Sequence, residues 1–149
     1  MSTTENLSDT HNLVRFTEAQ DSVYSTVLSE LQQGKKTTHW MWFIFPQLAG
    51  LGRSPTAEFY AIKSLEEAGQ YWQHPLLGAR IRECSTTVLC IEGRTIENVF
   101  GFPDYLKLKS CMTLFSSLPD PDPIFAAVLD RFFHGERDSR TLELLKLPT

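Results

Sequence analysis

Three observations predict an all-α fold, a compact single-domain multihelical bundle of about six to seven helices. Apolar residues recur at spacings of three and four through most of the chain. Many of those runs open on a side chain able to cap a helix, and strand-like alternation is almost absent. The length, 149 residues, suits one core. Residues 1–12 are expected to form a disordered N-terminal tail and 13–149 a single helical domain.

The first helical span is "FTEAQDSVYSTVLSELQQG", in which Ala19, Val23, Val27 and Leu31 share a face, with Phe16, Tyr24 and Leu28 beside them. Thr17 and Gln20 have the form of a capping box, and Gly34 suits the stop. Trp40 to Phe45 has strand-like aromatic content but no partner strand of similar strength. Ser54 followed by Pro55 starts a helix, Ser64 with Glu67 starts the next, and His74-Pro75 closes that one. Leu77, Ile81, Cys84, Val88 and Ile91 then form one side of a longer helix. A short turn follows at Thr95 to Phe100, and Pro103 opens a helix carrying Leu106, Met112 and Leu114. "LPDPDPIF" is a rigid turn within the domain, after which Asp122 caps, Pro123 occupies the first helical position and Gly135 stops. Leu142 and Leu145 dock a last short helix.

Composition excludes several classes of function. A net charge of −4, with no more than two adjacent Lys or Arg residues, argues against non-specific nucleic-acid binding and against an anionic membrane surface. No run approaches the ~18 apolar residues of a membrane span. Three cysteines and a polar N-terminus without a signal core fit a reduced, cytoplasmic protein. The four histidines are scattered, with no HExxH or CxxC spacing, so neither a metal nor a cofactor is expected. No G-x-S-x-G, Walker or dinucleotide fingerprint occurs.

Three stretches could carry chemistry. "HWMWFIFPQ" is apolar all round: it is either a central core element or a pocket wall, with Trp40, Trp42 and Phe45 as rings and His39 and Gln47 as polar groups. "LAGLGRSPTAE" places Arg53 beside the helix start at Ser54, where unpaired N–H groups and a guanidinium favour an anion. An ordinary cap with a solvated Arg is the competing outcome. In "FGFPDYLKLKSCMTLF", Asp104 and Lys107 can pair at i,i+3, while Lys109 and Ser110 interrupt an apolar stretch and need partners if buried. Cys111 has no local base and is expected to be an inert buried thiol.

These strings, with "HPLLGARIRECS" and "VLDRFFHGERDSRTLELL", resemble the family known as domain of unknown function 1810, also labelled calpastatin-like, over roughly residues 13 to 146. That resemblance implies a compact all-α fold and no particular reaction. "SPTAEFYAIKS", through Thr56, Glu58, Tyr60 and Lys63, is similar to the T-x-E-H-Y…K helix of the NADAR group. Phe59 stands where that group has histidine, the lysine spacing is one short, and the later W-G-x-G block is absent. This second similarity implies ADP-ribose chemistry.

The expected function is therefore a pocket for an anionic, nucleotide-like small molecule. Trp40, Trp42 and Phe45 would form its walls, and Arg53, Ser54, Lys107, Lys109 and Ser110 would hold the anion. Glu58 would be the general acid/base and Asp104 the second carboxylate, hydrolysing an ADP-ribose-type N-glycosidic bond. The alternative is a non-catalytic module whose aromatic groove takes a protein partner.

Overall fold

The computed structural model describes residues 9–147, and among these every regular element is a helix. Ten occur: α1 Val14–Asp21, α2 Tyr24–Gln33, α3 Met41–Ile44, α4 Pro55–Tyr60, α5 Leu65–Gln73, α6 Pro75–Leu89, α7 Ile96–Phe100, α8 Asp104–Ser116, α9 Pro123–Phe133 and α10 Ser139–Leu145. The expected six to seven helices is thus an undercount. The span read as one helix from Phe16 to Gln33 breaks at Ser22 and Val23, where Val23 N–H closes back on the Gln20 carbonyl at 3.0 Å. Trp40 to Phe45 supplies a single helical turn, and the turn expected at Thr95 to Phe100 is helical, with Thr95 accepting from Asn98 N–H.

The caps follow sequence chemistry closely, with one exception. Ser54, Ser64, Asp122 and Asp138 each accept a first-turn N–H, and Gly34 ends α2 in the left-handed region at φ 74°. Thr17 is not a cap; it lies inside α1 and donates to the Val14 carbonyl. Asp9 serves that helix instead, accepting from Leu13 N–H at 2.6 Å and Val14 N–H at 3.1 Å. Within the described residues, Asn12 N–H donates to the Asp9 carbonyl in a turn at 3.2 Å, while residues 1–8 of the expected tail lie outside them.

Helices α6 and α8 form the centre. α6 packs against α1, α2, α3, α5 and α9; α8 packs against α5, α7, α9 and α10. Leu108, Cys111, Met112, Leu114 and Phe115 of α8 are fully buried, so that helix is enclosed on most of its circumference. Its polar interruptions are satisfied locally: Ser110 donates to the Leu106 carbonyl, and Thr113 donates to the Lys109 carbonyl while accepting from Asp138 N–H. Burial raises the thiol pKa of Cys111 and pushes that of Cys84 up to about 12, so both are inert core residues.

Candidate functional site

Two short helices, α3 and α4, are held together with the loop between them by backbone pairing. Ile62 N–H donates to the Gln47 carbonyl at 3.0 Å and Ala49 N–H to the Ile62 carbonyl at 2.7 Å, forming an isolated parallel bridge at Leu48 and Ile62. This clasp closes the chain that leaves α3 onto the chain that leaves α4. Gly52 lets the intervening loop lie on α4, because a β-carbon there would stand 2.6 Å from Ala57 Cβ. The result is a small hollow with a cavity volume of about 10 Å³, lined by Trp42, Phe45, Gln47, Tyr60 and Lys107 together with Met41, Ala57 and Ala61.

Each wall is held from behind. Tyr60 packs among Phe16, Phe43 and Phe59 at centroid distances of 5.9, 5.4 and 4.8 Å. Arg15 donates to the carbonyls of Phe59 and Ala61, one on either side of Tyr60. Lys107 extends its ammonium over the Trp42 ring, 5.2 Å from the centroid, and lies 3.5 Å from Asp104 Oδ1. Asp104 Oδ2 meets Lys36 Nζ at 2.9 Å, and that ammonium also donates to the Thr38 carbonyl. Lys107, which lines the hollow, is thus the end of a Lys36–Asp104–Lys107 row.

Of the residues expected to share a site, the structure brings together Trp42, Phe45, Gln47 and Lys107, with Asp104 directly behind Lys107. The others are placed elsewhere. Trp40 is sealed in the core at 1% exposure, its indole N–H donating to Glu30 at 2.8 Å, so it walls no pocket. His39 is exposed and does not line the hollow. Arg53 is exposed and makes no ion pair among the described residues, while the Ser54 hydroxyl is used as the α4 cap. Glu58 is exposed outside the hollow. Lys109 pairs with Glu136 over the Phe133 ring, and Ser110 is bonded within α8.

Tyr60, Lys36 and Glu30 were not among the expected site residues. The pairing of Lys36 and Asp104 is 68 residues apart in sequence and leaves no local signal; Tyr60 sits on the same short helix as Glu58 but two positions on, and so on a different face.

The Glu30 carboxylate anchors the α2–α3 connection. Burial works to raise its pKa, but donors from the Thr38 hydroxyl, Thr37 N–H, Trp40 indole and Thr38 N–H prevail and hold it at about 2. A depressed carboxylate stabilises the fold above its usual value of 4.5 and loses that contribution as the pH falls from there towards 2. We expect this one group to account for roughly 2–3 kcal/mol across that window. Urea unfolding of the wild type and Glu30→Gln at pH 6, 4 and 3 measures it: the stability gap between them should shrink with acid. A gap that stays constant with pH would contradict the assignment.

The family model described as "Protein of unknown function (DUF1810)" matches residues 10–145. Among solved structures, the chain is similar to the crystal structure of a conserved hypothetical protein from Mycobacterium tuberculosis. The two share 51% identity at a TM-score of 0.89, over 92% of this chain and 98% of that one. No curated protein matches the chain. Among the described residues, no helix is long and apolar enough to cross a membrane.

Proposed function

The chain belongs to the DUF1810 family, whose description names no reaction, and from its own side chains we propose a binding cleft for a small anionic ligand with a flat ring. The observation that carries this reading is Lys107, whose ammonium lies 5.2 Å from the Trp42 ring centroid in the lining of a hollow whose other residues, Gln47 apart, are aromatic or apolar. An apolar concavity with a few convergent polar groups is the usual form of a small-molecule site. Here the polar groups are the Lys107 ammonium and the Gln47 amide, and the stacking surfaces are Trp42 and Tyr60.

Space restricts the ligand. A cavity of about 10 Å³ holds no more than one water molecule, so a whole nucleotide does not enter it as it stands. A ring lying across the mouth, with its anionic group on Lys107, requires only that this side chain swing away from Trp42. The charged end of such a ligand replaces the indole face as partner of the ammonium, and its ring takes over the contact with the indole.

A hydrolytic role for this site would need a carboxylate at the reacting centre. Neither Glu58 nor Asp104 lines the hollow; Glu58 is exposed and Asp104 is held between two ammonium groups. Binding is therefore the function proposed, and N-glycosidic hydrolysis is not needed to account for the geometry.

The test is a titration with benzoate, AMP, ADP-ribose and NAD, followed by thermal stabilisation and by quenching of tryptophan fluorescence. At least one of these anions is expected to bind, with Lys107→Ala weakening it about tenfold or more, the loss of one charge-assisted contact of ~1.5–3 kcal/mol. Absence of binding by all four at millimolar concentration would remove the reading.

A second reading rests on a separate observation: Phe102 is 79% exposed and Leu106 41%, both at the start of α8. Large apolar side chains left in solvent this near in sequence can serve in a contact with another protein. Sedimentation of the wild type and Phe102→Ser at high concentration tests self-association through it; identical monomeric behaviour would count against that form of contact.

A further inference from the structure

We infer that Asp104 sets the charge that the cleft accepts, making it selective for singly charged anions over doubly charged ones. This rests on the binding cleft proposed above and specifies its ligand class. The row that ends at Lys107 holds two ammonium groups and one carboxylate, so its net charge is a single positive one. The two ion pairs are unequal. Asp104 lies 2.9 Å from Lys36, whose side chain is 7% exposed, and 3.5 Å from Lys107, whose side chain is 24% exposed. Lys36 is further fixed by the Thr38 carbonyl and by the Trp40 ring beneath it, 5.1 Å from the ammonium. The inner pair is the anchored one; the outer contact is longer and more solvated, and its Lys107 is the member that lines the cleft.

An incoming anion therefore displaces the outer contact and takes Lys107, while Asp104 stays on Lys36. One negative charge on the ligand balances Lys107. A second would lie close to Asp104, whose remaining positive neighbour is already engaged and buried. Like charges a few ångströms apart at a partly solvated site repel strongly enough to change affinity by about tenfold. Asp104 thus touches no ligand atom in this scheme; it determines specificity by what it leaves uncompensated.

The experiment uses matched single-ring probes, benzoate as a monoanion and phenyl phosphate, which is a dianion at pH 8 because its second ionisation falls near 6. Affinities are read from tryptophan fluorescence and from NMR shifts at the Trp42 indole N–H. The wild type should favour benzoate. Asp104→Asn should tighten phenyl phosphate about tenfold and benzoate several-fold less, shifting the ratio towards the dianion. Lys36→Gln, which frees Asp104 to pair with Lys107 alone, should move the ratio the other way and serves if Asp104→Asn does not fold. Binding of both probes with a ratio that neither variant changes overturns the selectivity while sparing the cleft. Failure of both probes to shift the Trp42 indole signal overturns both.

Discussion

Replacing Arg15 by Met is expected to lower the unfolding free energy by about 3–5 kcal/mol, the cost of stripping one partner from a buried ion pair. The Arg15 and Glu67 side chains are 3% and 2% exposed and meet at 2.7 Å. All five guanidinium N–H groups are used. Nε donates to the Phe59 carbonyl, Nη1 to those of His11 and Asn12, and Nη2 to the Ala61 carbonyl and to Glu67 Oε2. The other Glu67 oxygen accepts from Lys63 N–H at 2.9 Å. One side chain therefore ties the N-terminal turn, α1 and the chain after α4 to the start of α5. Met restores the packing volume but leaves a buried carboxylate facing carbonyls that have lost their donor.

The double variant Arg15→Met, Glu67→Leu separates charge from packing. It should be clearly more stable than Arg15→Met alone, because removing both charges abolishes the desolvation cost that the single change exposes. Denaturant unfolding of the wild type, both single variants and the double variant gives the coupling directly. Effects of the two single changes that simply add in the double variant would mean that the pair carries no special energy. Since Arg15 also grips the carbonyls flanking Tyr60, the single change should loosen the cleft wall as well as the fold.

Much of the architecture could be read from local chemistry. Caps made within three residues, such as Ser54 to Ala57, Ser64 to Glu67 and Asp122 to Ile124, follow from the identity of adjacent residues. The apolar face of α6, from Leu77 to Val88, follows from spacing. What could not be read is whatever depends on residues distant in sequence. Arg15 meets Glu67 across 52 positions, and Asp104 meets Lys36 across 68. Nothing near Arg15 in the chain distinguishes it from a solvated arginine. The same limit governs the site. Trp40 and Trp42 belong to one aromatic block, yet helical geometry turns the first into the core, onto Glu30, and the second to the cleft, under Lys107. The exposed Arg53 was the more conspicuous cation, and its loop does pack on α4, but the ammonium that reaches the hollow comes from α8.

Gly78→Ala should be the most disruptive methyl addition in the chain, costing about 3 kcal/mol and lowering the melting temperature by roughly 6–12 °C. α5 and α6 are joined through a single residue, His74, which ends one helix and caps the next by accepting from Leu76 and Leu77 N–H. Such a tight corner folds the last turn of α5 back onto the first turn of α6. A β-carbon at Gly78 would lie 2.1 Å from the Trp72 carbonyl oxygen and 3.1 Å from its carbon, both backbone atoms with no side-chain freedom to withdraw. Relief requires opening the corner, which would pull Trp72 from its edge-on contact with Phe125 at 5.3 Å and disturb α9. In a free helix the same change would be favourable by about 1 kcal/mol, because alanine loses less backbone entropy than glycine. Gly69 provides the control. It lies inside α5, and a β-carbon there would meet only Leu118 Cδ2, at an ordinary 3.8 Å. Gly69→Ala should therefore stabilise by about 0.5–1 kcal/mol. Thermal unfolding of the two variants should move in opposite directions from the wild type. If Gly78→Ala melts with or above the wild type, the corner is not sterically closed, and the packing of α5 on α6 has to be explained without it.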